Sequence, residues 1–386
     1  MKDTHADITI GDILKKWQLA ADREPWQHDL RRITASDVER ALASPPGSYS
    51  LRKLAALVSP AAEDYLEQMA QIARQLTIQR FGRTIRLYAP LYLSSYCVNR
   101  CSYCGFNRDN TFKRVRLTID EALADAEILA SEGFRDILLV SSEDKRFVDT
   151  AYLETLAKEL RERFSFIGVE IYQMPASDYR RLFEAGVEGV TLYQETYDRA
   201  AYGHYHLGGP KADYGMRLRG PDDMGAAGMR EIGLGVLLGL ADWRTETLAL
   251  GEHAHHLIKR YWRSHVSFSF PRLRPACGVS AAEFPHLLTD RNLVQMMLAL
   301  RLCFGDAGIV ISTREPAALR DHLIEIGVTR MSAGSRTNPG GYSGADSSSE
   351  QFEVHDQRSP AEIGAMLKER GFDLVWKDWD RAFLNA

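Results

Sequence analysis

From about Thr84 onward, short apolar runs alternate with longer amphipathic stretches. Residues 85–93 read as a strand, and 136–140, 166–172, 189–194, 233–240, 265–270, 309–313 and 328–332 follow in the same style. Between them, apolar residues recur at helical spacing over about 150–163, 177–185, 221–232, 245–261, 289–304 and 316–326. A further helix opens at Thr118, whose hydroxyl and Glu121 form a capping-box pair. Strand and helix thus alternate through about eight units, which predicts an α/β fold: a (β/α)8 barrel of the TIM type. Residues 1–80 are polar and helical in pattern, with a capping-box pattern at Ser36–Glu39 and a helix over about 60–76. They form an N-terminal helical extension, residues 81–335 the barrel, and 336–386 a short C-terminal extension. The last comprises a Gly/Ser-rich loop at 338–349, a helix over 360–370 and an aromatic-acidic end at 375–380.

Composition narrows the class of function. The chain has 386 residues, 45% apolar and 26% charged, with a net charge of −4. That balance gives no electrostatic support to nucleic-acid binding. No apolar run approaches the roughly 20 residues needed to span a bilayer, and the first residues lack a basic and apolar signal region. Five cysteines do not suggest a disulfide framework, so a reducing cytoplasm is the expected location.

Three of those five cysteines fall in one short loop after the first strand: Cys97, Cys101 and Cys104, a C-x3-C-x2-C run. Three thiolates can hold a 4Fe–4S cluster by three of its irons and leave the fourth open, unlike the four-cysteine ligation of an electron carrier. The alternative is a zinc loop completed by a distant ligand such as Cys277, Cys303 or a histidine.

A barrel of this kind works at the C-terminal ends of its strands, so strand-end residues are the candidates. Ser141-Ser142-Glu143 ends the second strand and Glu170 lies in the third, where a buried charge needs a partner. Glu195, within Tyr193-Gln194-Glu195-Thr196-Tyr197, could bind a ribose diol or act as a helix-start acid. Gly233, Gly235 and Gly239 lack dinucleotide-binding spacing and allow close approach of a ligand or simple packing. Ser269 and the arginines of Phe270-Pro271-Arg272-Leu273-Arg274 end the sixth strand, and Ser312-Thr313-Arg314-Glu315 the seventh. An arginine there suits a carboxylate gripped bidentately, although Arg314 could instead pair with Glu315. The histidines, His253 and His256 included, are scattered, and Cys277 and Cys303 are isolated.

The cysteine run resembles the signature loop of the radical S-adenosylmethionine (SAM) enzymes. That likeness implies a 4Fe–4S cluster on Cys97, Cys101 and Cys104, whose open iron chelates SAM. An electron then splits SAM into methionine and a 5′-deoxyadenosyl radical. Tyr103 matches the aromatic position near adenine, and Glu143 the acid that meets the SAM amino group, with serines in place of the usual two glycines. Glu170 and Glu195 become candidates for further SAM contacts.

The segments 90–94, 103–106, 193–197, 269–275, 312–315, 339–342 and 376–380 resemble the aromatic amino-acid lyases of this superfamily, over about residues 30–380. The tyrosine-cleaving branch that serves bacterial thiamine thiazole synthesis is the most similar. The resemblance implies scission of the Cα–Cβ bond of L-tyrosine, giving dehydroglycine and p-cresol after hydrogen abstraction at the amino nitrogen. Arg314 would hold the substrate carboxylate, assisted by Ser269 or Ser312. A flavodoxin- or ferredoxin-type reductant and a thiazole synthase partner are implied, the C-terminal extension either closing the barrel or docking that partner. The hydrogenase-maturing branch carries a second cluster on C-terminal cysteines, whereas no cysteine follows Cys303 here. That departure favours release of dehydroglycine. Cleavage in the hydrogenase-maturing or tryptophan branch, and a non-catalytic subunit of a thiazole synthase complex, are the alternatives.

Overall fold

The alternating pattern closes into a barrel of eight parallel strands: β1 (Thr84–Ser94), β2 (Asp136–Ser141), β3 (Phe166–Glu170), β4 (Gly189–Thr191), β5 (Glu231–Gly235), β6 (His265–Ser269), β7 (Gly308–Ile311) and β8 (Arg330–Ser332). This is a computed structural model that describes residues 8–276, 279, 283–344 and 349–376. Neighbouring strands pair in chain order, and β1 closes the ring between β8 and β2, with Leu87 opposite Met331 and Leu91 opposite Leu139. A ninth strand, β9 (Asp373–Val375), lies beside the first residues of β1, on the edge that β2 covers higher up.

Among the described residues five α-helices precede the barrel: α1 (Ile10–Lys16), α2 (Glu24–Arg32), α3 (Ala35–Ala43), α4 (Leu51–Val58) and α5 (Leu66–Phe81). The barrel and tail add α6 (Ile119–Ser131), α7 (Thr150–Leu160), α8 (Ala176–Ala185), α9 (Arg199–Tyr205), α10 (Tyr214–Ala227), α11 (Trp243–Arg260), α12 (Asp290–Cys303), α13 (Ala317–Leu323) and α14 (Pro360–Glu369). Helix α4 is buried at Leu51 and over Lys53–Val58, because it packs on both α11 and α12. Its polar groups are met across that junction. Lys53 Nζ donates to the carbonyls of Pro45, Ser48 and Leu302, and Gln295 Nε2 to those of Leu57 and Ser59. The buried leucines of α4 each contribute about 1.5–3 kcal/mol of transfer free energy, so the N-terminal helices are part of the same core.

The floor of the barrel carries a closed charge network near the starts of four strands. Arg86 lies 2.6 Å from Asp136, and Arg330 lies 2.7 Å from Asp136 and 3.1 Å from Glu231. Burial works against the charge of Glu231, but Arg330 and Arg86 outweigh it and hold the carboxyl down to about 2.

Several boundaries differ from the sequence reading. The box that starts α3 is Thr34 with Asp37, not Ser36 with Glu39, since the chain turns helical two residues earlier. The helix read over 60–76 is a 3-10 turn, Pro60–Tyr65, followed by α5. Asp213 caps α10 well before Pro221, which sits inside the helix rather than at its start. Strand β5 then begins at Glu231, whose charge is paired in the floor network and so gave no apolar signal. Neither α9 nor β9 has a counterpart in the sequence reading. Trp376 packs edge-on against Phe134 with ring centroids 5.5 Å apart; the remainder of the aromatic-acidic end, 377–380, lies outside the described residues, as does Cys277.

Candidate active site

The cysteine loop leaves β1 and is clamped from two sides. Toward the end of β2, the Val98 amide donates to the Glu143 carbonyl at 2.9 Å, and Asn99 Nδ2 to Glu143 Oε2 at 2.7 Å. On the other side runs the segment after α9: Arg100 and Ser102 amides donate to the Gly208 and Tyr205 carbonyls, and Asn99 Oδ1 accepts from the Lys211 amide. Gly209 permits this approach, because it adopts φ +88° and a Cβ there would lie 2.4 Å from Asn99 Oδ1.

All three thiols line a cavity at the barrel mouth, about 1050 Å³ with the open solvent at its entrance included. Burial pushes the thiols of Cys97 and Cys101 up, that of Cys101 to about 12. Such groups become thiolates only beside a strong positive centre, which an iron–sulfur cluster provides. Among the described residues no three His, Cys, Asp or Glu side chains converge on a single ion. Three soft donors facing this cavity suit an iron–sulfur cluster held through three of its irons.

Around that cavity stand the other expected residues. The Tyr103 hydroxyl lies 2.8 Å from His206 Nε2, while His206 Nδ1 meets the Tyr202 carbonyl. A carbonyl only accepts, so the proton sits on Nδ1 and Tyr103 donates to Nε2. Burial lowers His206 to about 4 and keeps it neutral. Glu195 holds φ +68°. Its burial works against charge, but Lys211 at 2.6 Å and Arg217 at 3.7 Å hold its carboxyl below the usual range. One Glu195 oxygen is thus occupied, rather than both being available to a diol. Glu143 likewise spends Oε2 on Asn99. Burial pushes the Glu170 carboxyl up, and it accepts from the Tyr193 hydroxyl at 3.0 Å.

A second cavity of about 570 Å³ continues into the barrel, and Tyr92, Glu170, Tyr193, Arg314 and Phe352 line both. Ser269, Ser312 and Ser335 face only the inner one. Arg314 lies with its guanidinium 3.4 Å over the Phe352 ring. It does not pair with Glu315, which is taken by Arg272 Nε at 3.0 Å and Arg274 Nη2 at 2.9 Å. Among the described residues no side-chain acceptor reaches the Arg314 guanidinium. Ser335 Oγ is buried without a hydrogen-bond partner among the described residues.

The glycines on β5 serve packing: a Cβ at Gly235 would lie 2.6 Å from the Tyr193 ring, and one at Gly233 2.4 Å from Thr191. Cys303 is buried on α12. His253 pairs with Tyr197 and His256 with Asp222, both away from the mouth. Sequence reasoning missed His206, Lys211, Arg217, Gln351, Phe352 and Ser335. Lys211 and Arg217 had a signal, since both follow the fourth strand; Gln351 and Phe352 reach the site from far along the chain.

The Radical SAM superfamily profile matches residues 91–250, and that of the Biotin and Thiamin Synthesis associated domain matches 269–373. The 2-iminoacetate synthase of Escherichia coli (strain K12) is 42% identical over 348 residues, 90% of this chain and 91% of that protein. A crystal structure of HydG, a maturase of the FeFe-hydrogenase, superposes with a TM-score of 0.87 at 33% identity, covering 94% of this chain and 81% of that one. HydG from Carboxydothermus hydrogenoformans gives 0.82 at 32% identity, covering 95% and 84%.

Proposed function

The chain belongs to the 2-iminoacetate synthase family of radical SAM enzymes, and from that membership we propose that it cleaves the Cα–Cβ bond of L-tyrosine to 2-iminoacetate (dehydroglycine) and p-cresol. One observation carries the reading: Arg314, whose guanidinium has no side-chain acceptor among the described residues, stands where the thiol-lined cavity meets the inner one.

Cys97, Cys101 and Cys104 would hold a 4Fe–4S cluster, with Tyr103, Glu143, Glu195, Lys211 and Arg217 around SAM. When bound, cluster and SAM supply a hydrogen-abstracting radical. The protein's part is to place tyrosine against it and to keep water away. Arg314 offers a bidentate grip to the tyrosine carboxylate, its plane set by Phe352. Ser269 and Ser312 give hydroxyls from the same wall. Glu170, held by Tyr193, faces both cavities and suits the amino group. Lys211 and Arg217 place positive charge beside the outer cavity, where SAM brings a carboxylate.

Dehydroglycine hydrolyses readily, so direct transfer to a thiazole synthase in a reducing cytoplasm, with a flavodoxin- or ferredoxin-type reductant, completes the reading. The C-terminal extension, 336–386, is the proposed closing or docking element. Among the described residues no helix is long and apolar enough to cross a membrane. The test is anaerobic reconstitution followed by incubation with dithionite, SAM and L-tyrosine. Tyrosine-dependent p-cresol supports the proposal; SAM cleavage with tryptophan products alone would replace the substrate.

A further inference from the structure

The loop and the tail meet at one side chain that the proposed reaction has not used. Gln351 belongs to the segment after the Gly/Ser-rich loop, yet its amide Nε2 lies 3.8 Å from Cys104 Sγ. Its Oε1 accepts from the Tyr92 hydroxyl, at 2.7 Å, on the last part of β1. Two further contacts fix the backbone there. The Gln351 amide donates to the Thr337 carbonyl at 3.0 Å, and Thr337 Oγ1 to the Phe352 carbonyl at 3.1 Å. The fit is close on the loop side as well, since a Cβ on Gly105 would lie 2.5 Å from the Gln351 carbonyl oxygen.

We propose that Gln351 is a positioning residue for the electron-transfer step: its amide donates to the ligating sulfur of Cys104 and raises the reduction potential of the cluster. This rests on the cluster assignment above. The orientation of the amide follows from its neighbours. A ligating thiolate can only accept, so the NH2 end must face it, and the carbonyl end then takes the Tyr92 proton. Reduction adds one electron to the cluster and its sulfurs. A donor dipole on a ligating sulfur stabilises that added charge, which is how hydrogen bonds to sulfur tune such potentials. Neither Gln351 nor Tyr92 needs to touch the reacting atoms for this effect.

The experiment is an EPR-monitored redox titration of the anaerobically reconstituted full chain, alongside Gln351→Leu and Tyr92→Phe. Gln351→Leu keeps the volume and removes the donor. Its midpoint should move to more negative potential while iron and sulfide content stay at the wild-type level. Tyr92→Phe frees the amide to turn and should move the midpoint in the same direction by less. An unmoved midpoint in a Gln351→Leu protein with an intact cluster overturns the proposal. Should Gln351→Leu fail to hold a cluster, an unmoved midpoint in Tyr92→Phe overturns it instead. The titration needs no tyrosine, so the two readings separate: p-cresol from wild type with an unmoved midpoint in Gln351→Leu removes this proposal alone. A cluster-bearing wild type that gives no p-cresol removes the tyrosine reading, and a shifted midpoint would still support the role of Gln351.

Discussion

At the floor of the barrel, Arg86 and Arg330 meet Asp136 and Glu231, so two cations face two anions. At the mouth, Arg314 has a phenyl ring beneath it and, among the described residues, no side-chain acceptor, Ser335 Oγ is buried without a partner among them, and three thiols line an open cavity. Both ends bury polar groups, which costs free energy unless they are paired. The floor meets most of that cost within the chain, since each of its four charges has an opposite charge beside it, although Arg330 Nε has no hydrogen-bond partner among the described residues. It is therefore structure. The mouth leaves it to be met from outside, as the proposed binding of SAM and tyrosine beside a cluster requires.

The comparison can be broken at either end. The largest effect belongs to the thiols: Cys101→Ala should lose the cluster and all p-cresol, read as iron content and product, with the barrel still folded by circular dichroism. At the floor, Glu231→Gln should lower the unfolding free energy by about 3–5 kcal/mol, because it leaves buried arginine charge uncompensated, measured by urea unfolding. Its activity per folded molecule should stay near wild type. The same residue sets a pH dependence. Its carboxyl is held at about 2 against an ordinary 4.5, so the unfolded chain binds the proton first. The stability it contributes is fully present above about pH 4.5 and is lost as pH falls toward 2. Urea midpoints of the iron-free chain across that window should fall less steeply in Glu231→Gln.

Mouth variants should show the opposite division. Arg314→Gln should cost about 2–5 kcal/mol in kcat/KM for tyrosine, with unfolding free energy changed by no more than about 1 kcal/mol, the scale of its contact with Phe352. The smallest effect is expected for Ser335→Ala. If its hydroxyl meets the substrate, tyrosine affinity should drop by about 0.5–1.5 kcal/mol, while the ligand-free chain becomes no less stable, since an unsatisfied buried group is removed. A loss of stability with unchanged affinity would instead assign Ser335 to structure.

Much of this was legible from the chain because it follows from local order. Alternating apolar runs and amphipathic stretches define eight strand–helix units, and residues that end strands of a barrel must gather at one mouth. Cys97, Glu143, Glu170, Ser269, Ser312 and Arg314 accordingly line two joined cavities. What escaped depends on distant packing. Strand β9 exists because β1 has a bare edge below β2, which three residues cannot announce. Glu231 reads as a loop charge until Arg330 is placed beside it. Gln351 sits 247 positions from Cys104, and nothing in its own neighbourhood foretells the contact. Arg314 and Glu315 show the converse, since adjacency offered a pair as the alternative to a substrate role and Arg272 and Arg274 pre-empt it.

The most direct measurement of the central claim is p-cresol formation by the reconstituted wild type and by Arg314→Gln under saturating SAM and dithionite, with iron content and urea unfolding recorded on the same preparations. The account predicts tyrosine-dependent p-cresol in the wild type and its near-complete loss in Arg314→Gln at low tyrosine, with the cluster and the fold retained. Undiminished p-cresol in Arg314→Gln, or a loss of activity that tracks unfolding, would contradict it.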